Sequence, residues 1–490
     1  MIYDRESTSV SKPIIDLWMG TDHVASIEFS AGRVAAFTYT PQWIEKGFEL
    51  SPALDFSGKV PVSAASAYLE NLFPEGGVFE SFVESLGVSK SNHYALIRAM
   101  GKETSGSLML LPEGEKPETI NPGIRIIQAD EFARRVAKSD DFPITVWDGR
   151  IRLSVAGLQS KMNVIYAENG SLIGLAEGSS SSTHILKFET RNQNHLVLNE
   201  KLMLDAARRL GIPVCNADIL TVRKKRLLLV ERFDRKVDFD KKVPAQARQP
   251  NPDVKPEEEL RALDIHYALS TIEIPLVQRL HFIDGCQALG LRPALKYERN
   301  LGDEKDVKDI REGVSFYDLG EISGLCLDSA KDRESILKWG IFNLTVGNYD
   351  AHGKNISFSV SDRGLQLAPF YDLVSIEALG SKFKNTFSMA YGDNFGEAPF
   401  SWSDLCHFAK DICVSEKDLF EQATEILRNL PSAIEQSISY LTDLREEEIK
   451  FTKFLVETCT NRSEELLKML PQKSLKAGVK RKKAMSEPTQ

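Results

Sequence analysis

The apolar residues change their spacing along the chain, and this change limits the folds that the sequence can adopt. Residues 13–60 and 148–235 contain short alternating or apolar runs punctuated by Gly and Pro, which predict strands and turns. Residues 275–470 mostly carry apolar residues at the three- and four-residue spacing of helices. Strands and helices segregated in this way are typical of the α+β class.

Each part of the chain also contains segments of the other type. Residues 64–100 have apolar stripes of helical spacing within the N-terminal part. A further helix is predicted at about 195–210, where apolar residues at four-residue steps share one face and Gly211 follows. Residues 350–375 interrupt the helical part with two strand-like pieces, so we expect a short hairpin there.

Changes in composition divide the chain into five predicted segments. Residues 236–262 are rich in charge and proline, which predicts a loop. The C-terminal tail has six basic residues and one acidic residue, and we expect it to be disordered. It could tether nucleic acid or a partner, or be only a solvated terminus. The segments are an N-terminal subdomain (1–120), a strand-rich lobe (121–235), the loop (236–262), a helical lobe (263–470) and the tail (471–490).

Charge and cysteine content exclude several classes of protein. The 490 residues include 61 Lys and Arg and 70 Asp and Glu, a formal net charge of −9, which argues against nucleic-acid binding over the whole surface. The 6 cysteines form no C-x-x-C pair, so the spacing indicates neither a zinc site nor a disulfide framework. The N-terminus is charged, and no apolar stretch approaches the roughly 18 residues of a membrane span. We therefore expect a cytoplasmic protein.

Three polar residues late in the chain have a spacing that suits phosphoryl transfer. Asp350 and Asn355 are five residues apart, and Asp372 follows the predicted hairpin. In kinase-type enzymes one Asp faces the acceptor hydroxyl, while an Asn and a second Asp hold Mg²⁺ against phosphate oxygens. The alternative is that Asp350 and Asn355 only make the hydrogen bonds of a turn.

A lysine in an apolar strand supports the kinase interpretation. Lys187 ends the run Thr183-His-Ile-Leu-Lys187, and Glu200 lies early in the next predicted helix. A strand lysine followed by a helix glutamate is the order found in kinases, where the lysine contacts ATP phosphates. The alternative is an edge lysine whose ammonium group reaches solvent.

Two further segments of the strand-rich lobe could contact a nucleotide. Small residues at the turn of 152–161 could place backbone N–H groups over phosphates, although a single glycine makes this a weak signal; they are Ser154, Val155, Ala156 and Gly157. Residues 230–235 leave the strand-rich lobe, and Asp234 there could accept a hydrogen bond from a ribose. Ordinary turns with solvated charges are the alternatives.

Taken together, these motifs resemble the HipA family of bacterial toxin kinases, which are Ser/Thr protein kinases. The resemblance extends over most of residues 15–460, in the order of the family, and includes the segment Lys296-Tyr-Glu298. The motifs are Ser154-Val-Ala-Gly157-Leu-Gln159, Thr183-His-Ile-Leu-Lys187, Asn199-Glu200, Val230-Glu-Arg-Phe-Asp234-Arg235, Tyr349-Asp-Ala-His-Gly-Lys-Asn355 and Pro369-Phe-Tyr-Asp372.

The resemblance implies a role for each candidate residue. ATP and Mg²⁺ would be the cofactors, and the phosphate loop at 154–157 would carry an autophosphorylation site at Ser154. Phosphorylation there would repel ATP phosphates and silence the kinase. The remaining implied roles are phosphate contact for Lys187, the adenine hinge for Glu231 and Phe233, ribose contact for Asp234, catalytic base for Asp350, loop support for His352 and Lys354, and Mg²⁺ binding for Asn355 and Asp372.

The resemblance also implies an architecture and partners. We expect a two-lobed kinase-like fold with a nucleotide-binding strand-rich lobe, an extra N-terminal subdomain and a helical catalytic lobe. The partners would be a HipB-like helix-turn-helix antitoxin, DNA mainly through that antitoxin, and a translation protein such as an aminoacyl-tRNA synthetase as the substrate. A catalytically silent nucleotide-binding co-repressor or adaptor, and a kinase for small molecules, stay open as alternatives.

One departure from the family pattern lies in the predicted catalytic loop. The chain reads Asp350-Ala351-His352-Gly353 where Asp-Gly-His-Ala is more usual. Because Ala and Gly are exchanged around His352, we expect a modest change in the backbone shape of this loop.

Overall fold

The computed structural model describes residues 12–471, apart from 101, 139–145, 149, 152–160, 168–169, 171, 190–193, 251–266, 303 and 381–385. The chain forms two compact units. Unit 1 comprises Met1–Asn192, Asp218–Pro293 and Phe358–Gly364, and unit 2 comprises Gln193–Ala217, Ala294–Ser357 and Leu365–Gln490. Among the described helices, none is both long and apolar enough to cross a membrane.

The N-terminal part of unit 1 contains an antiparallel sheet in the order β3-β2-β1-β4. Its strands are β1 (Ile14–Met19), β2 (Asp22–Ser30), β3 (Arg33–Tyr39) and β4 (Leu108–Pro112). Between β3 and β4 the chain forms α1 (Pro41–Lys46), α2 (Val62–Glu70), α3 (Gly76–Leu86) and α4 (His93–Met100). These elements confirm the strands predicted within 13–60 and the helices predicted within 64–100.

The rest of unit 1 is built on a larger sheet with the order β11-β12-β10-β8-β9-β5-β13-β14. The elements of this part are β5 (Pro122–Ile126), α5 (Ala129–Ala137), β6 (Val146–Trp147), β7 (Arg150–Ile151), β8 (Lys161–Ala167), β9 (Leu172–Gly178), β10 (His184–Phe188), β11 (Ala217–Val222), β12 (Lys225–Glu231), β13 (Arg235–Pro250) and β14 (Tyr267–Arg279). Phe132 and Val136 of α5 pack with Leu186 of β10 and Leu227 of β12 in one apolar core. Burial of apolar side chains on this face holds helix and sheet together.

The prediction of a loop at 236–262 is wrong for its first half. Residues 235–250 form β13, which pairs along its length with β14. Ala245 and Ala247 of β13 are buried beside Ile274 of β14, and their two-residue spacing is the strand signal that the prolines and charges obscured. Residues 251–262 lie outside the described part of the chain. The segment 263–470 was predicted to be a helical lobe, but its first described element is the strand β14, which ends at Arg279. The other predicted segment boundaries stay predictions.

Helices make up most of unit 2, as predicted. The remaining elements of the chain are α6 (Leu196–Arg209), β15 (Phe282–Asp284), α7 (Gly285–Leu289), α8 (Phe316–Gly324), α9 (Ser329–Val346), β16 (Ser357–Ser361), β17 (Gly364–Leu367), α10 (Trp402–Asp411), α11 (Glu416–Ser439) and α12 (Glu446–Met469). Of these, β15, α7 and all of β16 except Ser357 belong to unit 1. The helix predicted at 195–210 and the strand pieces predicted within 350–375 are confirmed as α6 and as β16 and β17. The chain therefore has the predicted α+β class.

The long helix α9 is buried on most of its surface. Trp339, Ile341 and Phe342 are each at most 1% exposed, and Gly340 packs so closely on the Phe408 ring that a Cβ would lie 2.4 Å from it. Residues 339–346 are all buried, so the C-terminal half of this helix lies in the core. Packing therefore holds the C-terminal end in place, and the predicted catalytic loop follows that end.

A buried histidine in unit 1 predicts how stability changes with pH. His281 Nε2 lies 2.9 Å from the Leu50 carbonyl oxygen and Nδ1 lies 3.2 Å from Ser107 Oγ. Burial lowers the pKa of His281 to about 4. In the unfolded chain this histidine takes up a proton below about pH 6.5, whereas in the folded protein it does so only near pH 4. The free energy of unfolding therefore falls as the pH falls from about 6.5 towards 4, and His281 does not change it above pH 7.

We therefore expect His281→Gln to make folding less sensitive to acid. Between pH 7 and pH 5, the free energy of unfolding should fall by about 2 kcal/mol less in the variant than in the wild type. Urea unfolding at both pH values measures this difference. The exposed His407→Gln serves as the matched control, and an equal fall in His281→Gln and wild type would contradict the prediction.

Candidate active site

The candidate catalytic loop, residues 348–355, starts from the C-terminal end of α9. Gly347 ends the helix in the left-handed conformation, with φ of 63°, which favours glycine. Asn348 is 1% exposed; its backbone N–H donates to the Asn343 carbonyl at 2.9 Å, and its Nδ2 donates to Asn343 Oδ1 at 2.9 Å. These bonds set the direction in which the loop leaves the helix.

Asp350 is held on its backbone and on its side chain. Asn348 Oδ1 accepts from the Asp350 N–H at 3.4 Å, and Asn355 Nδ2 donates to the Asp350 carbonyl oxygen at 2.9 Å. The Tyr297 hydroxyl donates to Asp350 Oδ1 at 2.8 Å. The Asp350 side chain is nevertheless 45% exposed. The structure thus brings Asp350 and Asn355 together and presents an accessible carboxylate in a fixed loop.

His352 and Lys354 lie inside the loop. Both are buried, and His352 Nδ1 accepts the backbone N–H of Lys354 at 3.2 Å. The Tyr297 ring packs edge-on against the imidazole, with centroids 5.0 Å apart. Burial, and then the charges of Lys296 and Lys354, lower the pKa of His352 well below its ordinary value. His352 is therefore a neutral part of the loop, which suits the predicted supporting role.

The exchange of Ala and Gly around His352 has a structural reason. The Gly353 N–H donates to the Lys296 carbonyl oxygen at 3.0 Å. In this position a Cβ on residue 353 would lie 2.5 Å from Val314 Cγ2. Residue 353 therefore has no space for a side chain, whereas Ala351 is accommodated.

Asp372 is attached to the same loop from the chain that follows β17. Asn348 Nδ2 lies 3.5 Å from the Asp372 carbonyl oxygen, and the Tyr371 hydroxyl donates to the Lys354 carbonyl oxygen at 2.6 Å. Asp372 has a positive φ of 53°, which is uncommon for residues other than glycine and occurs often at functional sites. The second predicted Mg²⁺ ligand is thus held beside the loop that contains the first.

Helix α6 supports the segment after Asp372. Asn199 is fully buried; its Oδ1 accepts the Ser375 N–H at 2.8 Å, and its Nδ2 donates to the Ser375 carbonyl oxygen at 2.9 Å. Glu200 is the next residue on this helix and is 1% exposed. Glu200 belongs to unit 2 and Lys187 to unit 1, so the predicted pair between them stays a prediction.

Lys187 occupies a central strand of the large sheet. Its strand β10 lies between β8 and β12, where Lys187 is opposite Lys161 and Leu228. The residue is 5% exposed, so it is not the solvated edge lysine of the alternative interpretation. A charged group buried this far needs polar or ionic partners.

The predicted adenine hinge follows β12. Glu231 is exposed and is opposite His184 in the register of β10 and β12. The Phe233 ring packs against Phe282, with centroids 5.1 Å apart. The contact of either residue with adenine stays a prediction.

Asp234 has different partners from those we predicted. Oδ1 accepts from Arg232 Nε at 2.9 Å, and Oδ2 accepts from Arg232 Nη2, from Arg235 Nη1 and from the Gly106 N–H at 2.7–2.8 Å. Burial would raise the pKa of Asp234, but the charges of Arg232 and Arg235 outweigh burial and hold it well below its usual range. Four donors fill the acceptor capacity of a carboxylate. This arrangement makes Asp234 the centre of a buried arginine cluster, and its contact with a ribose stays a prediction.

The phosphate loop at 154–157 lies outside the described residues. The roles predicted for Ser154, Val155, Ala156 and Gly157 therefore stay predictions.

Several residues of the site were not predicted from the sequence. No role was predicted for Asn348 or for Asn199 of the Asn199-Glu200 motif, because both act through hydrogen bonds to backbone groups. Tyr297 belongs to the Lys296-Tyr-Glu298 segment that contributed to the resemblance, and that segment is the sequence signal for this residue. Arg462 of α12 donates to the Leu344 carbonyl oxygen and to Glu377 Oε2, each at 2.6 Å, and Glu377 accepts the hydroxyl of Tyr349. The loop is thus supported from residues more than 100 positions away.

The geometry defines the class of protein. The loop of unit 2 presents an exposed carboxylate with an amide and a second carboxylate beside it, and the sheet of unit 1 carries a buried lysine. Among the described residues, no three His, Cys, Asp or Glu side chains cluster as a metal site. Kinase Mg²⁺ sites use one or two carboxylates together with phosphate oxygens and water, so they need no such cluster. The arrangement is that of a protein-kinase-like fold.

Comparison with known proteins identifies the family. The family model for the HipA N-terminal domain matches the sequence of residues 15–111. The family model for the HipA-like C-terminal domain matches the sequence of residues 153–437. The serine/threonine-protein kinase toxin HipA of Shewanella oneidensis is 37% identical over 89% of this chain and 92% of its own length. The putative kinase Y4mE of Sinorhizobium fredii is 27% identical over 90% of this chain and 96% of its own length. The chain belongs to the HipA family.

A solved structure agrees with this assignment. HipA from Shewanella oneidensis MR-1, in a structure with HipB and operator DNA, matches with a TM-score of 0.77 at 36% identity. The match covers 93% of this chain and 98% of that one. The predicted kinase-like fold and the resemblance to the HipA family are therefore confirmed.

The close approach of Gly353 to Val314 leads to a test by two substitutions. We expect Gly353→Ala to lower the free energy of unfolding by about 1–3 kcal/mol, because its Cβ overlaps Val314. Adding Val314→Gly should restore part of this loss, because it removes Cγ2 and also Cβ, which would lie 2.6 Å from the new Cβ. Urea unfolding of both single variants and the double variant measures the coupling. If the two single losses simply add in the double variant, Val314 does not exclude a side chain at 353.

Proposed function

We propose that this chain is an ATP- and Mg²⁺-dependent serine/threonine protein kinase and the toxin of a toxin–antitoxin pair. The observation that carries the proposal is the exposed Asp350 carboxylate in a loop that is fixed on both sides and linked to Asn355 and Asp372. The names of the relatives support kinase activity at the level of the family.

In unit 2, Asp350 would take or orient the proton of the acceptor hydroxyl. Asn355 Nδ2 donates to the Asp350 carbonyl, so the amide is oriented with Oδ1 facing away from that contact. This oxygen and the Asp372 carboxylate are hard donors that fit Mg²⁺. Mg²⁺-bound ATP would supply the phosphoryl group, and the metal would neutralise charge that develops on it. His352 and Lys354 would keep the loop in shape.

In unit 1, Lys187 would contact the ATP phosphates. Its burial in a central strand supports this role, because a phosphate would compensate a charge removed from water. Glu231 and Phe233 would lie at the adenine, and backbone N–H groups of 154–157 would face the phosphates. Asp234 would lie near the ribose, with its carboxylate held in place by the arginine cluster.

The proposed substrate is a protein of translation, such as an aminoacyl-tRNA synthetase, and the proposed partner is a HipB-like helix-turn-helix antitoxin. The structure of the Shewanella relative contains HipA, HipB and operator DNA, which supports such a partner. The net charge of −9 favours DNA contact mainly through that partner, since phosphates attract basic surfaces.

Removal of the Asp350 carboxylate tests the proposed activity. We expect Asp350→Asn to lower label transfer from γ-labelled ATP to protein in a cell lysate by at least about 100-fold, because an amide cannot accept the hydroxyl proton. Nucleotide binding, followed with a fluorescent ATP analogue, should be retained. The matched control is Asp362→Asn, which changes an exposed aspartate.

Other outcomes would identify other functions. ATP binding by the wild type without any transfer would favour the silent co-repressor, and equal transfer by Asp350→Asn would exclude Asp350 as the base. Label appearing only in small molecules would favour a metabolite kinase.

We also propose that the enzyme phosphorylates its own Ser154. A phosphate there adds about two negative charges where the ATP phosphates bind, so activity should fall as modification proceeds. After prolonged incubation with Mg²⁺ and ATP, peptide mass spectrometry should find the added phosphate on Ser154. Ser154→Ala should remove it, while Ser160→Ala in the same segment should not. An unmodified Ser154 in an active preparation would contradict this proposal.

A further inference from the structure

We propose that Tyr297 is a positioning residue that orients the Asp350 carboxylate for proton transfer, an inference that rests on the proposed kinase function. The Tyr297 hydroxyl donates to Asp350 Oδ1 at 2.8 Å. With Oδ1 engaged in this way, Oδ2 is the oxygen that is directed to the acceptor hydroxyl. Tyr297 acts through Asp350 and does not itself touch the substrate.

Exposure explains why Asp350 needs such a contact. Its side chain is 45% exposed, so packing alone does not restrict its rotamers. A base turned away from the acceptor cannot take the proton, and misplacement by about 1 Å can cost about 100-fold in rate. A hydrogen bond to a charged carboxylate is stronger than a neutral one, and it can select one rotamer.

The segment that carries Tyr297 is itself fixed. The Lys296 carbonyl oxygen accepts the Gly353 N–H at 3.0 Å, and the Glu298 carbonyl oxygen accepts the Gly313 N–H at 3.2 Å. The Glu298 carboxylate accepts the Ala390 N–H at 2.7 Å. The residues on both sides of Tyr297 are thus anchored, and the phenol is preorganised before any substrate binds.

The Tyr297 ring has a second contact in the loop. It packs edge-on against His352, with centroids 5.0 Å apart. His352 Nδ1 accepts the Lys354 N–H, so the proton of the neutral ring is on Nε2, which lies 4.0 Å from Asp350 Oδ1. At this distance the imidazole does not replace the phenol, whose hydroxyl is more than 1 Å closer to that oxygen.

Removal of a single hydroxyl tests the inference. Tyr297→Phe keeps the ring that contacts His352 and removes the hydroxyl that donates to Asp350. With γ-labelled ATP and lysate protein as the acceptor, we expect the rate at saturating ATP to fall about 10- to 100-fold. The KM for ATP should stay within about two-fold, because Tyr297 positions only the base.

The control distinguishes positioning from stability. Tyr391→Phe removes another buried hydroxyl of the same unit, which donates to the Gly340 carbonyl oxygen at 2.6 Å. It should lower the melting temperature and leave the rate of the folded enzyme unchanged. A Tyr297→Phe variant with the wild-type rate, or with a loss equal to that of Tyr391→Phe, would overturn the inference alone. A wild type that transfers no label to protein would overturn the proposed function and, with it, this inference.

Discussion

The burial of α9 is the constraint on which the geometry of the site depends. The second half of this helix is buried on all sides, with Trp339 and Phe342 almost fully buried and Gly340 against the Phe408 ring. A close-packed helix cannot slide or rotate without opening cavities, so the position of its last turn is set by packing. The left-handed Gly347 then reverses the chain at that point. The packing of α9 therefore fixes the starting position of the catalytic loop 348–355, although this loop is polar and partly exposed.

The loop keeps its shape through hydrogen bonds to backbone groups. Asn348, Asn355 and Tyr371 each bind a carbonyl oxygen of the loop or of its neighbouring segment. Such groups would cost free energy if they were buried without partners, so each bond both satisfies a polar atom and selects one conformation. The same contacts explain how Asp372 can adopt a positive φ, because the surrounding structure compensates the local cost.

The arginine cluster around Asp234 has a structural role. Arg232 and Arg235 are both buried, and with Asp234 they join the residues after β12 to Gly106, which lies between α4 and β4. Burial, and then the charge of Arg232, lower the pKa of Arg235 to about 9. Buried charges are costly unless they are paired, and a paired cluster tolerates few alternative arrangements.

The sequence by itself determined the α+β class, α6, the strand carrying Lys187 and the order of the loop residues, because periodicity and short spacings are local properties. It misassigned β13, where prolines and charges obscured the two-residue alternation of Ala245 and Ala247. Only the tertiary structure decided that Tyr297 binds Asp350, that Asp234 serves the arginine cluster and that residue 353 must be glycine. These contacts join residues far apart in the chain, and their existence depends on packing that no local pattern encodes.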